Sequence, residues 1–262
     1  MLRYLRLFGI QIRASLLLVL QYRADFLLDA VLSLVGPLTA LVPLWVVFEQ
    51  SDHLAGWSFP ESLLVLGWFM LLQGILEGAI NPSLTTVVEH IRKGTLDFVL
   101  IKPADAQFLV STAKFLPARG INIVAAIGVF AWSFAEMGRT PSAWGLVQAF
   151  ILLLTATLLL YSLWILTISL AFYVVRVDNL TYLFTALFDA ARWPSSVFRG
   201  VWGILFTFVI PLALMTTWPS VAMLGNLGNS ALVGGILGAL AFSAVARGIW
   251  MLSLAKYTSA SS

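Results

Sequence analysis

The sequence contains no cysteine, which excludes disulfides, thiolate metal sites and a cysteine nucleophile. Charge is scarce as well. Only 10% of residues are Asp, Glu, Lys or Arg, against about 25% in ordinary soluble domains. A soluble fold of 262 residues, 60% of them hydrophobic, would lack the polar side chains to cover its surface. With a mean hydropathy of +0.96, the chain belongs to the membrane class. There are two histidines, His53 and His90. The expected topology sets them far apart, so no shared metal site is expected, and no Ser-His-acid set falls on one side of the bilayer. No G-x-x-x-x-G-K-[ST] run occurs, which removes ATP binding by that route. No linker or low-complexity tract divides the chain, so a single membrane domain is expected. The net charge of +3 is small. Where the charges sit argues topology, not nucleic-acid binding.

The N-terminal arm, residues 1–25, has recurrent basic residues and no small-x-small cleavage site, so it is a poor signal peptide. At 100° per residue, Arg3, Arg6 and Arg13 fall within about 80° of one another, while Leu5, Phe8 and Ile12 gather on another face. That pattern suits a helix lying in the headgroup layer. The plainer alternative is a basic anchor that holds the terminus inside.

Six spans are expected, near 26–48, 62–80, 119–134, 144–173, 201–215 and 231–254. Pro37 and Pro43 should kink the first. Every Lys and Arg except Arg139 then falls on one side, including Arg176, Arg192 and Arg199 between spans four and five. The positive-inside rule puts that side, and both termini, in the cytoplasm. Residues 216–230 carry no charge yet would face outward. A re-entrant hairpin broken at Pro219 and Gly225 explains this, with a plain loop as the alternative. The fold class is therefore all-α integral membrane, with six transmembrane helices.

Residues 83–103 are the most polar-leaning stretch inside this apolar chain. Asn81, Ser83 or Thr85 suits a helix N-cap, and Gly94 suits the stop. Arg92 and Lys93 in the last turn complement the helix dipole. Glu89, Arg92 and Lys93 form a polar side; Val88 and Ile91 form an apolar one. Two readings stand at this point. One is a helix that docks into a soluble partner; the other is an interfacial connector.

Within it, Gly94-Thr95-Leu96-Asp97-Phe98-Val99-Leu100-Ile101-Lys102-Pro103 resembles the G-x-L-D-x-x-L-x-[KR]-P segment of ABC-2 type transporter permeases. It is most similar to the small six-span subgroup without an ATPase domain of its own. Tyr22-Arg23-Ala24-Asp25-Phe26, Arg192-Trp193-Pro194, Pro211 and Trp218-Pro219 resemble the same subgroup. The resemblance implies a coupling helix over 83–97, with Glu89, Ile91, Arg92, Lys93, Gly94, Leu96 and Asp97 meeting the ATPase. It further implies an N-terminal interfacial helix, and an outer cap between spans five and six. It implies two copies of a separate ATP-binding-cassette ATPase that holds ATP and Mg, and a second permease chain, identical or homologous. Export across a bacterial inner membrane follows, with no cofactor on this chain, which is not itself an enzyme. A non-transporting scaffold that recruits a cytoplasmic partner is the alternative. An integral-membrane enzyme would need convergent acids or histidines at one depth, and none is found.

Intramembrane polar residues are the usual candidates for a substrate path. Gln73 and Glu77 share a helical face in span two, although Glu77 also suits an ion pair with Arg119 or Arg192. Asp189 and Arg192 read as a local pair. Met70, Phe206 and Phe208 are candidates for an apolar route, with core packing as the plainer reading for each. The apolar spans would suit a hydrophobic or amphipathic cargo.

Overall fold

The computed structural model describes residues 2–173 and 178–257, with the side chains of 178–181 and 208 outside the description. Arg176 therefore lies outside the described residues. These are almost entirely helical, with no β-strand among them. In chain order the helices are α1 (Leu2–Gln21), α2 (Arg23–Ser33), α3 (Val35–Gln50), α4 (Phe59–Ile75), α5 (Asn81–Lys93), α6 (Asp97–Leu100) and α7 (Ala106–Ser111). They continue as α8 (Gly120–Met137), α9 (Ala143–Ser169), α10 (Asp178–Phe188), α11 (Val201–Ile204), α12 (Trp218–Met223) and α13 (Asn229–Ala255).

Among the described residues, six helices are long and apolar enough to cross a membrane: Leu2–Gln21, Arg23–Gln50, Phe59–Lys93, Pro117–Met137, Ala143–Phe172 and Asn229–Ala255. The bundle has a basic end, with Lys93, Lys114, Arg119 and Arg247, and an acidic end, with Glu49, Asp52, Glu61 and Glu136. Helix α4 is the axis. Every residue from Ser62 to Leu72 is buried, as befits a helix that is apolar all round. It starts at the acidic end in a capping box, where the Ser58 backbone N–H donates to Glu61 at 3.0 Å. Glycines let its neighbour approach. A methyl on Gly67 would lie 2.5 Å from the Phe130 ring of α8, the small-residue packing typical of membrane helices. Thr155, Ser162, Thr167 and Ser169 of α9 return their hydroxyls to the carbonyl four residues back, so these side chains bring no unpaired donor into the apolar interior.

Two features depart from expectation. First, span two does not end at Ile80. The chain passes from α4 through one π-helical turn, Leu76–Ile80, directly into α5, forming one 35-residue helical arm. Asn81-Pro82 fails to break it because Pro82 falls in the first turn of α5, where the missing N–H costs nothing.

Second, the segment expected as a fifth span, 201–215, is not one helix. It divides into α11, a π turn Leu205–Val209, an interruption at Ile210-Pro211 and a second π turn, Ala213–Thr217, that runs into α12. The chain has already reached the acidic end before this segment begins. From the Lys114–Arg119 end, where Phe188 and Asp189 stand, it passes Phe69 midway along α4, with the Phe188 ring at 5.3 Å and Arg192 over the same ring at 5.4 Å, and Ser196 then donates to the Ala55 carbonyl between α3 and α4. Arg192 thus sits over the middle of α4 and not at the basic end with Lys114 and Arg119, contrary to the charge count. The physical reason is local. Arg192 is held by Asp189 at 3.4 Å and by an aromatic face, so it does not need the basic surface. Thr216 then returns to donate to the Ala191 carbonyl, and α12 packs beside the start of α9.

Helix α1 lies against the connector at the basic end. Tyr4 packs edge-on to Phe108 and Phe8 to Phe115, and the Phe115 N–H donates to Ser15 Oγ.

Candidate functional site

The basic end gathers three polar constructions around α5. The first is the tip of the helical arm. Gly94 ends α5 at φ 64°, a left-handed conformation that costs glycine little. The Gly94 N–H donates to Ile91 O and the Thr95 N–H to His90 O, the paired bonds of a Schellman stop. The chain turns into α6 with Leu96 wholly buried and Val99 and Leu100 packed against the core. That inward set forces the intervening positions outward. Phe98 is 67% exposed and Ile101 76% exposed, two large apolar side chains flanked by Lys93 and Lys102.

The residues expected to meet a partner therefore divide. Glu89 and Lys93 are exposed and pair with each other at 3.3 Å. Ile91 packs against the core, and Leu96 is buried. Gly94 shapes the turn. Arg92 and Asp97 each make an electrostatic or hydrogen-bonded contact. Phe98 and Ile101, absent from the expected set, are what the tip presents. Their signal lies in the i, i+3, i+4 spacing of Leu96, Val99 and Leu100, which leaves 98 and 101 on the opposite face.

The second construction is the junction of α4 and α5. Gln73 donates to Glu77 at 3.0 Å, and Glu77 pairs with Arg119 at 2.9 Å. The Leu116 N–H donates to the Gly78 carbonyl at 2.8 Å, a carbonyl in the middle of the π turn. π turns occur disproportionately at functional positions. Gln73 and Glu77 line a cavity of about 500 Å³ shared with Lys114, Arg119, Thr185 and Asp189. The other expected pathway residues do not join them. Met70 is 2% exposed inside the core. Phe206 is buried between Phe198, at 4.7 Å, and Trp202, at 5.9 Å. The Phe208 side chain lies outside the described residues.

The third construction has no counterpart among the expectations. Arg247 of α13 donates to Asp105 at 2.5 Å and to Gln107 at 2.6 Å. Gln107 donates to Tyr161 of α9, whose hydroxyl also meets Ser111 at 2.8 Å. Residues 50 or more positions apart thereby tie α7, α9 and α13 together. Partial burial pushes the Asp105 carboxyl upward, but hydrogen bonds from Arg247 and the Phe108 N–H, with the Arg247 charge, outweigh it and leave it below its ordinary 3.8. Because the folded-state value is depressed, the stabilisation is complete above pH 3.8 and is lost as pH falls through that lower value. Asp105→Asn should therefore lower the thermal midpoint in detergent at pH 7. The gap to wild type should close as the buffer is taken below pH 3.8; a constant gap would remove the carboxylate from the account.

No curated protein and no solved structure matches the chain. The family model described as ABC-2 family transporter protein matches residues 34–261, a span that starts inside the first kinked helix pair and includes the arm, its tip and the Arg247 network. Nearly the whole helical bundle is thus accounted for by one family, and the chain belongs to the ABC-2 family of transporter proteins.

Proposed function

We propose that this chain is the permease subunit of an ATP-binding-cassette exporter. In this reading it is driven by two copies of a separate ATPase that hold ATP and Mg, and it forms the pathway together with a second permease chain. The observation that carries the reading is the tip of the α4–α5 arm. An exposed Phe98 and Ile101 between lysines, held on a rigid turn, are suited to filling a cleft on a soluble partner. The absence of a P-loop motif in the sequence supports a separate ATPase. Residues 83–97 act as the coupling helix, with Phe98 and Ile101 extending its contact surface. Both termini lie in the cytoplasm of a bacterial inner membrane, with α1 in the headgroup layer, which its contacts with the connector support.

The arm suggests how the motion travels. ATP binding draws two ATPase subunits together, and each moves the tip seated in it. Because α5 continues into α4, displacement at the tip reaches the central helix of the bundle. The Glu77–Arg119 pair couples it to the start of α8. Inward-open and outward-open states then exchange by differential binding of the nucleotide-bound ATPase. Co-expression with a candidate ATP-binding-cassette ATPase from the same genome tests the reading. A complex of two permease chains and two ATPases is expected, with hydrolysis faster than that of the ATPase alone. A purified permease that leaves ATPase association and turnover unchanged would overturn it.

A further inference from the structure

A cavity of about 380 Å³ opens at the acidic end, where α3, α4 and α8 meet. Its walls are aromatic. Phe59 sits at the centre, with the Trp45 ring at 6.5 Å, the Phe48 ring at 5.6 Å and the Trp132 ring at 5.8 Å, all edge to face. Both indoles are held in the same way. Trp45 Nε1–H donates to Glu49 at 2.8 Å, and Trp132 Nε1–H donates to Glu136 at 3.1 Å. In each case the carboxylate lies four residues further along the same helix. Each of these two bonds engages Oε1 of its carboxylate. Asp52 adds a third carboxylate to the lining, and among the described residues no Lys or Arg lines the cavity. Arg139, the basic residue nearest in sequence, instead approaches Glu61 at 3.9 Å.

We infer that this cavity binds a substituted ammonium group. The aromatic box supplies ring faces whose quadrupole attracts a cation, and the fixed indoles hold those faces beside carboxylates that have no basic partner in the lining. An anion would meet three negative charges. An uncharged guest would leave those carboxylates uncompensated. A small, strongly hydrated metal ion would gain little from the rings. The guest that uses every wall is an organic cation, carried either by a membrane lipid headgroup or by a free amphipathic amine. The site stands at the opposite end from the arm tip and does not depend on the docking reading.

The test uses the purified chain in neutral maltoside detergent, with choline as probe and 3,3-dimethyl-1-butanol as its uncharged isostere. Ligand-observed saturation-transfer NMR reads binding. Choline should saturate, the isostere should not, and the double variant Glu49→Gln/Glu136→Gln should bind choline about tenfold more weakly. Asp52→Asn, at an exposed residue of the lining, guards against a folding defect in the double variant. It should weaken binding about threefold with an unchanged thermal midpoint. A second arm identifies the source. Native mass spectrometry of the protein released from an equimolar phosphatidylethanolamine and phosphatidylglycerol bilayer should show the ethanolamine lipid enriched on wild type but not on the double variant if a headgroup is the guest. Choline binding without that enrichment assigns the site to a free cation. Equal binding of choline and its isostere, variants indistinguishable from wild type, or neither choline binding nor lipid enrichment would each overturn the inference.

Discussion

Replacing Phe98 and Ile101 together with glutamate is expected to abolish association with the ATPase while the permease itself folds normally. Both side chains project away from the bundle, so exchanging them costs the fold little; exposed substitutions usually stay within about 0.5 kcal/mol. Their contribution should appear on binding. Apolar anchors seated in a pocket are typically worth about 2 kcal/mol or more each, and every 1.4 kcal/mol is about tenfold in affinity. The double variant should therefore bind at least about a hundredfold more weakly, and ATPase stimulation should fall in parallel. Pull-down with a titrated ATPase measures the first, and vesicle hydrolysis the second. Leu96→Glu makes an instructive contrast. Leu96 is wholly buried, so a carboxylate there would be desolvated without a partner, and the chain should lose stability before any partner is added. Loss of binding in Leu96→Glu alone would report on the fold. Retained binding in the Phe98/Ile101 variant would show that the tip docks nothing.

The largest effect on stability is expected at Gly145, near the start of α9. A methyl placed there would lie 2.5 Å from the Ala222 carbonyl oxygen of α12. The obstacle is backbone, which cannot rotate aside as a side-chain end can. Gly67 offers a control of a different kind, because its near neighbour is the partly exposed Phe130 ring, a side chain and not backbone. Overpacking a tight interior costs about 1–3 kcal/mol, and Gly145→Ala should fall at the upper end of that range, with Gly145→Val beyond it. Gln148 of the same helix donates to the Leu227 carbonyl and to Asn229, so the strain would spread to the turn before α13. Thermal or denaturant unfolding in detergent should rank wild type above Gly67→Ala, and Gly67→Ala above Gly145→Ala. Equal midpoints for the two alanine variants would mean that α12 is free to move away.

Much of the bundle was legible because membrane spans announce themselves by length. The runs around α4, α8, α9 and α13 are long, apolar and bounded by polar turns, and each appears as a helix close to its expected range. Gly94 announced the arm's end because a left-handed residue after a basic last turn is a strong local signal. The course of 178–228 was not legible. Its hydrophobic run after Asp178 is short and contains Asp189, so it reads as a connector, while 201–215 is apolar enough to read as a span. What reverses the assignment is long-range contact: Phe188 and Arg192 on Phe69, and Ser196 on Ala55. The Arg247–Asp105–Gln107–Tyr161 network was invisible for the same reason, since its members are brought together only by the packing of α13 on α9. At the arm tip, charge drew attention to Glu89, Arg92 and Lys93, whereas the surface offered outward is apolar.

The single π turn at Leu76–Ile80 also sets an azimuth. A π turn accommodates one residue more than an α turn over nearly the same rise, and one residue corresponds to about 100° of helical rotation. The compass heading of everything beyond it, including the Phe98 and Ile101 face, is thereby offset from the heading α4 would otherwise dictate. Relaxing that turn into ordinary α geometry would swivel the tip by about 100° while extending the rod by only about 1.5 Å, so the molecule holds a means of twisting the arm as well as pushing it.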